Sequence, residues 1–166
     1  MEDLRYDFSK EVYKNECDRE NGLNNKSQIY LSLLTIILSS IIFNIKDVYD
    51  LIKMPEFSNI NNTIIGVLVS ILVTSSIAIS MIFLSMRLFE YKNPYLFETL
   101  KKFYEKNEYD KKIFDLETSK NYLKAARSNE RVNDSKAKFL SYSYFFIILS
   151  FILSVVFLTL IITVKK

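Results

Sequence analysis

The chain predicts an all-α membrane protein: three transmembrane helices with a cytoplasmic helical hairpin between the second and third. Three observations predict it. Residues 27–45, 57–86 and 139–164 contain no ionisable charge. Residues 87–138, set between the last two of these runs, hold 13 Lys or Arg and 9 Asp or Glu. No glycine follows Gly66 and no proline follows Pro94, so nothing beyond Pro94 forbids helix. Mean hydropathy over the whole chain is close to zero only because charge and apolarity occupy separate blocks.

Residues 1–26 form a cytoplasmic N-terminal amphipathic segment, with Leu4, Phe8 and Val12 four apart and five basic residues against seven acidic. Gly22 with Asn24 and Asn25 is expected to end or loosen this helix. Acids stand where a basic signal-peptide region would lie and no small-residue cleavage site follows, so the first span is expected to be retained.

Residues 27–45 are the first transmembrane helix; at about 1.5 Å per residue they cover roughly the 30 Å hydrocarbon core. Gln28, Ser32, Thr35 and Ser39 fall on one narrow stripe. Such a stripe serves helix packing through hydroxyl hydrogen bonds, or lines a water path in an oligomer. Residues 46–62 make a short external connection, read as a plain hairpin loop, although Val48, Leu51 and Ile52 with Tyr49 also suit one interfacial helix stopped before Pro55. Asn61 or Asn62 is expected to cap the second span, residues 63–86. There Gly66, Ser70, Thr74 and Ala78 recur every fourth position, a small-residue face that admits another helix.

Residues 87–138 are the hairpin. Asn93 and Pro94 suit a cap and first turn, Leu96, Leu100 and Phe103 an apolar seam, and residues 107–110 the turn. Ile113, Leu116, Leu123 and Ala126 on the returning helix are expected to pack against that seam. No breaker separates this helix from the third span, residues 139–164, so one continuous rod is expected. Tyr142 and Tyr144 lie where an aromatic belt belongs, Ser143, Ser150 and Ser154 share a face, and Phe145, Phe146, Phe151 and Phe157 supply packing bulk.

Basic residues set the expected orientation. The N-terminal segment holds 5 and residues 87–138 hold 13, whereas Lys46, Lys53, Lys165 and Lys166 are the 4 on the other side. The positive-inside rule then puts the N-terminus in the cytoplasm and the C-terminus outside a multi-pass protein. Abundant Asn, Lys, Ile, Tyr and Phe suggest an AT-rich bacterial genome, hence the bacterial inner membrane.

The chemistry available is narrow. There is no histidine and one cysteine, so Cys17 is read as a plain thiol with nothing to activate it. There is no phosphate-binding glycine loop, no metal-ligand spacing and no paired-carboxylate pattern that can be placed in a pocket, and the spans lack the charges that mark ion-coupled transporters. The expectation is a non-enzyme with no catalytic residue, no metal and no cofactor. One surface pattern stands out: Lys120, Lys124, Arg127 and Arg131, with Lys138 beyond them, form a single basic stripe. It serves topology and anionic lipid heads, or binds the phosphates of a nucleotide or nucleic-acid ligand.

The run Glu130, Arg131, Val132, Asn133, Asp134, Ser135, Lys136, Ala137, Lys138, Phe139, Leu140 leads directly into a span, with a fainter echo in Asn25, Lys26 and Ser27. It resembles the lead-in to membrane helices in small bacterial antiphage effectors, the membrane partners of nucleotide-synthesising enzymes in CBASS, Pycsar and Hailong-type systems, including the SLATT group. The resemblance covers the three-span layout and these two short motifs. It implies a homo-oligomeric, signal-gated ion channel or membrane-disrupting effector. A nucleotide or oligonucleotide signal made by a nucleotidyltransferase or cyclase would open it and depolarise the membrane. The chain departs from larger members in having no separate soluble sensor domain, so a Hailong-like channel subunit fits best. On that reading Lys120, Lys124, Arg127, Arg131 and Lys138 receive the anionic signal, and Gln28, Ser32, Thr35 and Ser39 line the pore. A non-catalytic membrane adaptor docking a soluble partner and a holin-like pore-forming toxin remain alternatives.

Overall fold

The computed structural model describes residues 2–52, 58–87, 91–94, 101 and 111–164, and among them helix is the only regular structure. Among the described residues four helices have defined bounds, in order α1 (Glu2–Phe43), α2 (Ile45–Ile52), α3 (Ser58–Arg87) and α4 (Lys111–Val164), and Lys101 is also helical. Three of these are long and apolar enough to cross a membrane. Residues 91–94 are irregular. Leu96, Leu100, Phe103 and the expected turn at 107–110 lie outside the described residues.

The expected interruption at Gly22, Asn24 and Asn25 is absent, because α1 passes through all three. Glycine in a helix interior costs about 1 kcal/mol relative to alanine. A Cβ at Gly22 would meet nothing within 4 Å, so no close approach requires it there. The cost is offset by tertiary packing: Leu23 and Ser27, on either side of the Asn pair, are both buried.

Helix α1 stops at Asn44, which bridges to the next helix. Its N–H donates to the Ile41 carbonyl at 3.0 Å and its carbonyl accepts from the Val48 N–H at 3.1 Å. Its side-chain amide also donates to the Ser40 carbonyl at 2.7 Å, satisfying a helix-end acceptor. The residues after it fold as α2, with Val48 buried and Tyr49 exposed, so the plain loop expected for this connection is corrected to a short helix. Likewise α3 starts at Ser58, which places Asn61 and Asn62 inside the helix and not at its cap.

The chain divides into two units. The charged unit comprises Met1–Asn24 and Leu88–Ala137; the apolar unit comprises Asn25–Arg87 and Lys138–Lys166.

In the apolar unit each long helix buries a stripe spaced alternately three and four residues apart, the spacing of knobs-into-holes packing. On α1 these are Ser27, Leu34, Ile37 and Ile41; on α3, Ile64, Ile71, Ser75, Ala78, Ile82 and Ser85. On α4 they are Leu140, Ser143, Ile147, Ser150, Ser154, Phe157 and Ile161. The shared face expected for Ser143, Ser150 and Ser154 is therefore the buried one. The small-residue face expected on α3 is not, since Gly66 and Ser70 are exposed and only Ala78 is fully covered. Phe157 is buried as packing bulk, while Phe145 and Phe151 point outward.

Hydroxyls inside this bundle satisfy one another. Ser75 donates to Ser150 Oγ at 3.3 Å, Ser150 donates to Thr74 Oγ1 at 2.7 Å, and Thr74 donates to the Ser70 carbonyl at 2.8 Å. Outward hydroxyls such as Ser76, Ser80 and Thr159 return to the carbonyl one turn earlier. Both patterns pair hydroxyl hydrogens that would otherwise be bare on a surface suited to lipid.

Candidate functional site

The charged unit is held by a seam of a different kind. The start of α1 presents Ser9, Tyr13, Glu16, Glu20 and Leu23, and α4 presents Ser119, Tyr122, Ala126, Asn129, Asn133 and Lys136. The two segments run parallel: Tyr6 meets Tyr122 edge-on at 6.0 Å, Asn133 meets Glu16, and Lys136 meets Glu20. Of the apolar seam expected at Ile113, Leu116, Leu123 and Ala126, the first two are corrected because they are exposed, Leu123 is half-buried and Ala126 is buried. The buried face runs through Tyr122, Ala126 and Asn129, on the side of the helix away from Ile113.

The polar seam residues make specific bonds across the unit, although Asn133 Oδ1 accepts none among the described residues. Lys136, only 5 % exposed, donates to Glu20 at 2.7 Å. Asn133 donates from one amide nitrogen to the Glu16 carbonyl at 2.9 Å and its carboxylate at 2.8 Å. Arg19 pairs with Asp134 at 2.7 Å on the rim. Burial pushes the Tyr13 phenol up to about 12, helped by the neighbouring Cys17 thiol and by the charge of Glu20. Tyr13 itself donates to Asn93 Oδ1 at 3.1 Å. Burial and the same thiol push the Tyr91 phenol up as well.

Against this frame stands a basic cavity of about 550 Å3. Lys120, Lys124, Arg127 and Arg131 line it, so four of the five stripe residues surround one concavity; Lys138 does not line it. A fifth cation, Lys92, arrives from the irregular segment. No carboxylate lines the cavity among the described residues. Lys120 is paired at 2.9 Å with Glu117, one turn away on its own helix. A half-open concavity lined by exposed cations, with no carboxylate in its lining among the described residues, attracts anions, most strongly those with oxygens matching the guanidinium fork of arginine.

The hydroxyl stripe of α1 is placed differently. Gln28, Ser32 and Thr35 are exposed and Ser39 is half-buried. Ser32 donates to the Gln28 carbonyl at 3.0 Å and Thr35 to the Leu31 carbonyl at 2.9 Å. The stripe therefore faces away from the apolar unit's own packed core, and Gln28 and Ser32 line a shallow groove with Ile29, Leu33 and Ile36.

Sequence reasoning missed the pairing of the N-terminal segment with α4, and with it Lys92 and Asn129. A signal was available: Asn129, Asn133 and Lys136 recur at seam spacing that leads into Leu140 and Ser143. Among the described residues no cluster of metal-binding side chains is found. Comparison with protein-family models, with curated proteins and with solved structures finds no match.

Proposed function

We propose that the protein is a signal-gated ion channel or membrane-disrupting effector of a bacterial antiphage system. A nucleotide or oligonucleotide signal at its cytoplasmic side opens it and depolarises the inner membrane. One observation carries the reading: Lys120, Lys124, Arg127 and Arg131 gather around one cavity on the same helix, α4, that continues to Val164 as an apolar span. Anion binding at the start of that helix acts on an element that also crosses the bilayer. The excess of basic residues in the N-terminal segment and in 87–138 supports a cytoplasmic charged unit and an external C-terminus. The resemblance of residues 130–140 to the antiphage effectors supports the biological setting, with a nucleotidyltransferase or cyclase as the source of the signal.

The outward-facing stripe of Gln28, Ser32, Thr35 and Ser39 belongs to this proposal as the lining of a pore formed between copies of the chain. No span carries a charge, so ion selectivity is weak or resides at the pore mouths. Ion flux from liposomes holding the purified protein, with and without a panel of cyclic and linear oligonucleotides, tests the reading. Flux is expected only with a ligand, and replacing Lys120, Lys124, Arg127 and Arg131 together by Gln should abolish it with insertion intact. Flux without ligand would replace the proposal by a holin-like toxin. A second reading, a non-catalytic adaptor docking a soluble protein, draws on exposed Phe8, Ile113 and Leu116 in the charged unit. It predicts no flux under any condition.

A further inference from the structure

The irregular segment 91–94 has no helix or strand to satisfy its backbone, yet its position is tightly specified. Asn129 Oδ1 accepts from the Lys92 N–H at 2.9 Å, and Asn129 Nδ2 donates to the Lys92 carbonyl at 3.0 Å. A primary amide is the side chain suited to this double bond, since it offers one acceptor and two donors in one plane. Leucine would make neither bond and aspartate could not donate. Asn129 is 0 % exposed, at a seam position between Ala126 and Asn133 where an apolar residue is the ordinary occupant. Burying an amide is unfavourable unless it is hydrogen-bonded, and both of these bonds are spent on one residue.

That residue is a lysine whose side chain is exposed at the cavity holding the four stripe cations. Gathering like charges costs electrostatic free energy that an anion placed among them offsets. Lys120 to Arg131 covers about 16 Å of helix at 1.5 Å per residue, more than one phosphate group spans.

We infer that Lys92 is a fifth ligand-binding cation of this cavity, that Asn129 is the positioning residue that holds it there, and that the ligand carries several phosphate groups. The inference rests on the anion-site reading above and adds two residues to it. The phosphates come either from a free polyphosphorylated molecule or from clustered lipid headgroups.

The test uses the full-length protein in nanodiscs of phosphatidylcholine, titrated calorimetrically with inorganic tripolyphosphate. Lys92→Gln is expected to weaken binding about fivefold, a typical effect for one exposed charge pair. Lys92→Arg should restore it, and Lys14→Gln, an exposed lysine of the same unit that does not line the cavity, should leave it unchanged. Asn129→Ala should weaken binding with all five cations still present. The double variant should bind no more weakly than Lys92→Gln alone, because Asn129 acts through Lys92. Repetition in discs containing cardiolipin separates the two sources: weaker tripolyphosphate binding there identifies the headgroup as occupant, and unchanged binding identifies a free ligand.

Wild-type affinity in Lys92→Gln, with binding lost when the four stripe residues become Gln, would overturn the role of Lys92 and leave the anion site standing. Wild-type affinity in the four-residue variant, or no binding by the wild type in phosphatidylcholine discs, would overturn the site itself. Additive losses in the double variant would reduce Asn129 to a structural residue.

Discussion

The charged unit and the apolar unit use the same seam spacing and fill it with opposite chemistry. On α4 the steps of three and four residues run from Ser119 through Tyr122, Ala126, Asn129, Asn133 and Lys136. They continue through Leu140, Ser143, Ile147, Ser150, Ser154, Phe157 and Ile161. In the charged unit the seam carries amides and ions, each tied to one partner by a bond that a shift of one turn would break. In the apolar unit it carries Ile, Phe and Ala relieved by serine, where small size lets backbones approach. Spacing decides which residues meet; the surroundings decide what those residues are allowed to be. A buried Lys136–Glu20 pair contributes little net stability over an apolar pair of the same shape. What it supplies is registry, because a slipped alignment would leave a buried charge alone.

The largest effect should come from breaking that pair on one side. Lys136→Ala leaves Glu20, 20 % exposed, without its cation at 2.7 Å. The expected loss is about 3 kcal/mol, confined to the charged unit. Hydrogen exchange should quicken at residues 9–23 and stay slow at 64–85, and Lys136→Met with Glu20→Leu should recover most of the protection. Equal quickening in both units would show that the seams are not separable.

A smaller loss is expected from the apolar unit. Ser150→Ala removes the hydroxyl that accepts from Ser75 and donates to Thr74. Hydrogen bonds between membrane helices contribute about 0.6 kcal/mol on average, with a maximum near 1.7. Reversible unfolding in mixed micelles should therefore register only a slight shift, whereas Ser150→Leu, which fills a fully buried position, should disrupt packing outright.

The smallest effect at neutral pH belongs to Tyr13, whose folded phenol is pushed up to about 12 from an ordinary 10.0. Below pH 10 the phenol is protonated folded or unfolded, and its contribution is fully present. Between 10 and 12 the unfolded chain loses the proton first, so stability falls as pH rises. Tyr13→Phe should flatten that alkaline decline in a pH series of thermal midpoints while leaving the neutral midpoint nearly unchanged. An identical decline would assign it to other groups.

The sequence made the three helices long and apolar enough to cross a membrane legible because charge is disfavoured in lipid, and Phe57 to Met86 and Phe139 to Val164 carry none. It also made legible the continuous α4 and the basic stripe. It did not reveal which face of each span is buried. In water an inward face differs from an outward one in polarity; in lipid both are apolar, so Gly66 and Ser70 looked as suited to packing as Ser75 and Ala78. Nor could local pattern show that Asn133 would bond to Glu16, or that Asn129 would hold Lys92. Those partners are far apart along the chain, and their chemistry suits many other pairings. Composition along the chain set the three long apolar helices and the charge blocks, since each follows from the residues' own solvation. Packing in three dimensions chose the seams, the register of α1 on α4 within the charged unit, and the fifth cation of the cavity, because each depends on which distant groups satisfy one another once water is removed.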